Sequence, residues 1–166
     1  MTTISIIARR WGLEPMQGQV EAYFGRHPAA EIIQSRPGLG VILGARVLAE
    51  FGDAPDRYAS AKARKNYAGT SPITRASGKK KVVAARFVHN DRLVDALMTQ
   101  AFASLHVSPG ARSYYDRQRA RGSSYSTALR QLVNRLVGIL HGCLKTGTLY
   151  DEATAWSHHS TEEAAA

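Results

Sequence analysis

Cysteine, unbroken apolar runs and acids in the middle of the chain are what this sequence lacks. A single cysteine, Cys143, allows no internal disulfide and suits a reducing cytoplasm, the expected location. The longest apolar stretches are interrupted by Arg46, Arg135 and His141, which argues against a membrane span or a membrane partner. Ahead of Arg9-Arg10 stand only Ile4-Ser5-Ile6-Ile7, too short and in the wrong order for a signal peptide. There is no G-x-x-x-x-G-K-S/T phosphate loop, no dinucleotide fingerprint, and no zinc spacing among the six histidines and Cys143. Glu50, Asp53 and Asp56 are oxygen ligands of a kind that a metal uses, yet a helix end and turn use acids equally as caps and surface charges. No metal site is assigned within the chain.

What is present is positive charge, and it is segregated. The 166 residues carry 22 Lys and Arg against 13 Asp and Glu, a formal charge of +9. Between Arg57 and Arg92 stand Arg57, Lys62, Arg64, Lys65, Arg75, Lys79, Lys80, Lys81, Arg86 and Arg92, with Asp91 the only acid. That segment alone accounts for the whole net charge, and the remainder is neutral. Solvated surfaces usually mix their signs, so segregation on this scale points to a polyanionic partner, nucleic acid above all. A hydrophobic fraction of 44% is enough for a core and excludes wholesale disorder.

Periodicity predicts a mainly α fold. Helices are expected over 16–24, 29–35, 41–51 and 59–67, the third stopped by Gly52-Asp53-Ala54-Pro55. Residues 69–81, rich in Gly, Ser, Thr, Pro and Lys, read as one irregular basic loop, and 82–88 as a short β segment. Asn90 is a cap for a helix with the stripe Leu93, Leu97, Ala101 and Leu105. Ser108-Pro109 opens the next helix and Gly122 closes it. Ser124–Cys143 carries Leu129, Leu132, Val133, Leu136 and Leu140 on one face. These helices are expected to form a bundle whose Met and aromatic residues are core. Residues from 151 onward read as a tail.

Three motifs bear on chemistry. Pro37-Gly38-Leu39-Gly40 lies between two helices, as in a helix-hairpin-helix unit, where Gly38 and Gly40 would let backbone amides approach a phosphate. An ordinary glycine turn reads the same way. In Arg75-Ala76-Ser77-Gly78-Lys79-Lys80-Lys81, Ser77 has an accessible hydroxyl and neighbouring cations, two of the three things needed to attack a phosphodiester. No activating base is nearby. A lysine-rich loop with an incidental serine fits too. His89-Asn90-Asp91-Arg92 with Tyr114 and Tyr115 matches part of the tyrosine-recombinase pattern, though without its upstream arginine motif.

Taken in order, "SRPGLGVILGARVLAEFGD", "YASAKARKNYAGTSPITRASGK", "HNDRLVDALMTQAFAS", "SPGARSYYDRQRARG" and "ALRQLVNRLVGILHGCL" resemble the C-terminal domain of the one-ten/one-sixteen/nine-oh-two insertion-sequence transposases. These are DEDD transposases guided by a bridge RNA. The resemblance runs from about His27 to Trp156. It implies a serine nucleophile after a G-x-x-P stretch, which maps Gly69-Thr70-Ser71-Pro72 and then Ser77-Gly78, so Ser77 inherits the role and Ser71 ranks second. It also implies a ribonuclease-H-like N-terminal domain with four acids and divalent metal, expected to be missing from this chain. Gly44 departs from the alanine such hairpin units prefer.

The expectation is therefore a helix-hairpin-helix-like unit joined to a helical bundle. Residues 1–26 would end a connecting segment, 27–150 would be the transposase C-terminal domain, and 151–166 a tail. The expected partners are DNA, a guide RNA and further copies of the full-length transposase. Nucleic-acid contacts are expected from Gly38, Gly40, Lys62, Arg64, Lys65, Arg75, Lys79, Lys80, Lys81 and Arg86. No cofactor is expected in the chain itself, magnesium belonging to the acidic domain, and the chain alone should be inactive. The other readings are a non-catalytic nucleic-acid-binding regulator derived from a transposase remnant and a tyrosine-type recombinase fragment.

Overall fold

Side-chain caps and glycines decide where the helices begin and end. The computed structural model describes residues 13–163 except 55, 79 and 85, and the side chains of all of these but 13–15, 81 and 158–163. Its elements are α1 (Leu13–Gly25), α2 (Ala30–Gln34), α3 (Val41–Phe51), α4 (Ala61–Tyr67), β1 (Ile73–Ser77), β2 (Lys80–Ala84), α5 (Asp91–Val107), α6 (Pro109–Ala120), α7 (Tyr125–Thr146) and α8 (Glu152–Glu163). The fold is mainly α. Ser60, Asn90, Ser108 and Ser124 each accept a hydrogen bond from a first-turn amide, capping α4, α5, α6 and α7. Gly52 at φ 75° ends α3, and Gly147, left-handed at φ 66°, ends α7.

The core sits around α7. Leu132, Val133, Leu136, Val137 and Leu140 are buried there, and α4, α5 and α6 pack on it. From α5 come Leu93, Leu97 and Ala101, and from α2 and α3 Ile33, Val47 and Phe51. The expected α5 stripe is rotated slightly. Gln100 and Ser104 are buried and Phe102 is exposed, because the Pro37–Gly38 turn covers that flank and Pro37 O accepts from Gln100 Nε2 at 3.4 Å. Gly44 answers its own departure from alanine: a Cβ there would stand 3.0 Å from Ile33 and 3.2 Å from Phe24, so α1 closes on α3 over a bare backbone.

Two stretches differ from expectation. The irregular loop at 69–81 and the strand at 82–88 are a single antiparallel β-hairpin, in register Ile73↔Ala84, Thr74↔Val83, Arg75↔Val82, Ala76↔Lys81 and Ser77↔Lys80. The β-branched Thr74 and Val83 face each other, and Gly78 at φ 55° makes the turn. Phe87 and Val88 lie beyond the strand. The segment read as a tail contributes α8, with Ala155 and Trp156 buried. Asp151 caps α8 through Thr154 N, and Glu152 ties it to the start of α6 through Ser108 Oγ and Gly110 N.

Candidate nucleic-acid interface

The β-hairpin leaves the body at a turn built for the purpose. Gly69 has φ +70°, and a Cβ there would lie 2.3 Å from His89 Cβ, so only glycine turns the chain after α4. The amides of Thr70 and Ser71 donate to Lys65 O, and Thr70 Oγ1 lies 3.2 Å from Asn134 Oδ1 on α7. Ser71 is thus part of the anchored foot, half-buried. Beyond it every described side chain of the hairpin after Ile73 is exposed.

Ser77 stands at the tip. The alternation of a two-stranded ribbon puts Ile73, Arg75 and Ser77 on one face with their partners Ala84, Val82 and Lys80. Ser77 therefore has Lys80 directly opposite and Arg75 two residues back on its own strand and face. An exposed hydroxyl between two cations, beside a glycine turn, is open to a phosphate from the tip. Lys79 lies outside the described residues, and Lys81 is placed by register opposite Ala76.

The other basic residues divide. Lys62 is exposed on α4. Arg86 lies at the hairpin's exit, where its Nη2 donates to Asn66 Oδ1 at 3.2 Å. Lys65 is half-buried with its Cε beside Gly138 of α7, where a Cβ would be 2.8 Å away. Burial, and then Arg135, hold its pKa below the ordinary lysine value. Arg64 corrects the expectation of a phosphate contact: it is buried, with its guanidinium carbon 5.1 Å from the Phe51 ring and 4.5 Å from the Tyr58 ring. Burial lowers its pKa, and Tyr58 works the other way. Arg57 covers the exposed Tyr67 ring from 4.9 Å, so part of the basic run packs on aromatic rings, inside the protein at Arg64 and at its surface at Arg57.

In the glycine turn the two glycines differ. Gly38 has φ +78°, and a Cβ would lie 2.4 Å from Gln100 O and 2.9 Å from Ser104 N. Its close approach is to α5 and serves packing. Gly40 is exposed, the residue before the first turn of α3. Gln100 and Ser104 lie on one flank of α5, while Val94 and Met98, on another, wall a groove of about 370 Å³ at the foot of the β-hairpin. The glycine turn and Ser77 are thus not brought together.

Comparisons with known proteins give the family. The family model described as "Transposase IS116/IS110/IS902 family" matches residues 30–116. The "Mini-circle putative transposase for IS117" of Streptomyces coelicolor is 51% identical over 138 residues, covering 83% of this chain and 33% of that protein. The chain belongs to the IS116/IS110/IS902 transposase family. An IS900 "uncharacterized 42 kDa protein" of Mycobacterium paratuberculosis is 38% identical over 136 residues, 81% of this chain and 34% of its own length. The IS110 "uncharacterized 43.6 kDa protein" of Streptomyces coelicolor is 33% identical over 141 residues, 82% and 34%. The chain spans about a third of the length of the curated relatives it matches.

The side chains near Ser77 in this transposase chain do not fit a divalent metal. Arg75 and Lys80 are cations themselves, and among the described residues no three His, Cys, Asp or Glu gather. Glu50 accepts from Asn90 Nδ2 at 2.6 Å, and Asp53 lies 3.8 Å from His27. The tyrosine pattern is not assembled for attack. Tyr115 is buried, burial holds Tyr114 above the ordinary tyrosine pKa, and His89 pairs with Asp91 at 3.1 Å. No helix among the described residues is long and apolar enough to cross a membrane.

Proposed function

We propose that this chain is the DNA-handling, serine-bearing C-terminal domain of an insertion-sequence transposase, with Ser77 as the nucleophile. The observation that carries the reading is the ribbon face on which Ser77 stands between Arg75 and Lys80. In the step, Ser77 Oγ forms a bond to phosphorus and gives up its proton. The bond from phosphorus to the leaving strand's oxygen breaks, and that oxygen takes a proton. Arg75 and Lys80 neutralise the charge that gathers on the phosphate oxygens. Guanidinium and ammonium groups are donors with no acceptor site, so the base that takes the Ser77 proton comes from another part of the assembled transposase. The family resemblance supports acids of a ribonuclease-H-like domain for that part. It supports a bridge RNA and further transposase copies as companions.

Phosphate contacts by Arg75, Lys80 and Lys62 release counterions, so affinity for a DNA duplex should fall steeply with salt, by about 0.9 in log–log slope for each phosphate neutralised. A fluorescence-anisotropy titration across salt concentrations tests this. Removing Arg75 and Lys80 together should flatten the slope by about two. An unchanged slope would take the hairpin out of the interface.

A further inference from the structure

Phe87 and Val88 are the most exposed large apolar side chains described, 93% and 85% exposed, immediately beyond β2. The residues on either side of them, Arg86 and His89, both line the groove of about 370 Å³ at the hairpin's foot. An exposed phenylalanine is ordinary when alone. This one follows Arg86 directly, at the foot of the ribbon whose tip carries Ser77. Arg86 and Arg130 on the groove's edge complement a polyanion, and the acids nearby are engaged, Asp91 with His89 and Glu50 with Asn90. The groove behind has apolar walls, Val94 and Met98 from α5 and Val133 from α7, and a polar edge from Arg86, Arg130 and Gln131. Its volume is at the low end of small-ligand sites, about 300–1,000 Å³. That suits one planar, polar-edged group with its sugar and not a stacked pair. Arg86 is held at this edge by Asn66, and its Nε is buried with no partner among the described residues.

We propose that Phe87, with Val88 beside it, is a wedge that enters the base stack of the DNA strand handled by the Ser77 hairpin, and that the groove receives the nucleotide it displaces. Apolar side chains inserted between base steps unstack and kink a duplex, and the flipped base then needs a pocket with apolar faces and hydrogen-bonding edges. Phe87 supplies the first and the groove the second. Ser77 stands at the far end of the ribbon, so a strand opened at the foot would run along the Arg75 face to reach the hydroxyl. The inference rests on the DNA reading above and goes beyond it.

The test compares two DNA duplexes of one sequence, fully paired and with a single unpaired 2-aminopurine, bound to the 166-residue chain. Because the unpaired base has no pairing to lose, it should bind about tenfold or more tighter, and 2-aminopurine emission should rise in the complex as its remaining stacking is broken. Phe87→Ser, on a fully exposed side chain, should keep the circular-dichroism spectrum and the paired-duplex affinity while losing the preference. Phe87→Leu should retain it. Gln131→Trp, which fills the groove, should lose it too. Equal affinity for both duplexes in the unmodified chain, or a preference that survives Phe87→Ser, would overturn the wedge and leave the DNA reading standing. No binding to either duplex would overturn both. Tighter capture of the same bulge in an RNA duplex, or a dimer without DNA that Phe87→Ser abolishes, would assign Phe87 to RNA or to a second copy and overturn the proposal.

Discussion

The guanidinium carbon of Arg64 lies 4.5 Å from the centre of the Tyr58 ring, inside the protein, in the middle of the most basic stretch of the chain. Tyr58 in turn donates its hydroxyl to Phe51 O at 2.8 Å, so the pair closes the end of α3 over α4. One residue of the basic run thus stabilises the fold while its neighbour Lys62 faces solvent. Arg64→Ala should lower the unfolding free energy by about 2–3 kcal/mol, since it removes a desolvated cation–ring contact and buried packing together. Lys62→Ala should leave stability within about 0.5 kcal/mol and lower the salt slope of DNA binding by about one. Urea unfolding and anisotropy, run on both variants, separate the two roles. Equal effects of the two substitutions on binding at unchanged stability would return Arg64 to the interface.

Two glycines of one turn should likewise behave differently. Gly38→Ala puts a Cβ on the backbone of α5 at a positive φ, and should cost about 3 kcal/mol or more. Gly40→Ala meets nothing within 4 Å and should cost under about 1 kcal/mol. If the first turn of α3 meets phosphate through its amides, Gly40→Ala weakens DNA binding while the helical circular-dichroism signal stays normal. Thermal melts of the two single variants check the order. A Gly38→Ala protein as stable as the unmodified one would remove the packing role.

His141 makes stability depend on pH. It is buried, its Nδ1 has no partner among the described residues, and burial, then Arg64 and Lys145, hold its pKa below the ordinary 6.5. The unfolded chain therefore takes up this proton at a higher pH than the folded one. The contribution is fully present above the unfolded pKa and is lost as pH falls through it toward the folded value. Unfolding free energy should decline from about pH 7 to pH 5, and His141→Gln should flatten that decline. A decline of unchanged steepness in the variant would show that other groups cause it.

What was legible in the sequence is what short-range physics decides. Asn90, Ser108 and Ser124 announce their helices because a cap and its amides lie within three residues of each other. Val41–Phe51 is bounded by glycines on both sides. The α7 stripe was readable because one helix carries it whole. What was not legible depends on distant partners. Gly38 looks like a phosphate-facing glycine until α5, some sixty residues on, fills the space beside it. Arg64 looks solvated until Phe51 and Tyr58 close over it. The β-hairpin was obscured by its lysines, although residues 73–74 and 82–83 around Gly78-Lys79 carry the pairing signal. Phe87, placed in a strand by its neighbours' β propensity, stands outside one.

The decisive experiment concerns Ser77. A serine hydroxyl is a weak nucleophile at neutral pH and needs a proton acceptor, whereas the groups sharing its ribbon face are Arg75 and Lys80. The 166-residue chain alone should therefore form no covalent bond to DNA. Supplied with a separately expressed acidic domain from a full-length relative, its guide RNA, donor and target DNA and magnesium, it should give a protein–DNA adduct that survives denaturation. Ser77→Ala should abolish the adduct while leaving the circular-dichroism spectrum and duplex affinity unchanged, because the side chain is exposed and makes no packing contact to lose. Ser71→Ala should leave the adduct in place, since Ser71 belongs to the anchored foot of the hairpin. Tyr114→Phe and Tyr115→Phe should leave it too: one hydroxyl is held protonated by burial and the other ring is packed inside. An adduct from this chain alone would mean that the base lies within it. One that persists in Ser77→Ala and disappears in a tyrosine variant would move the chemistry to α6 and leave the ribbon with binding alone.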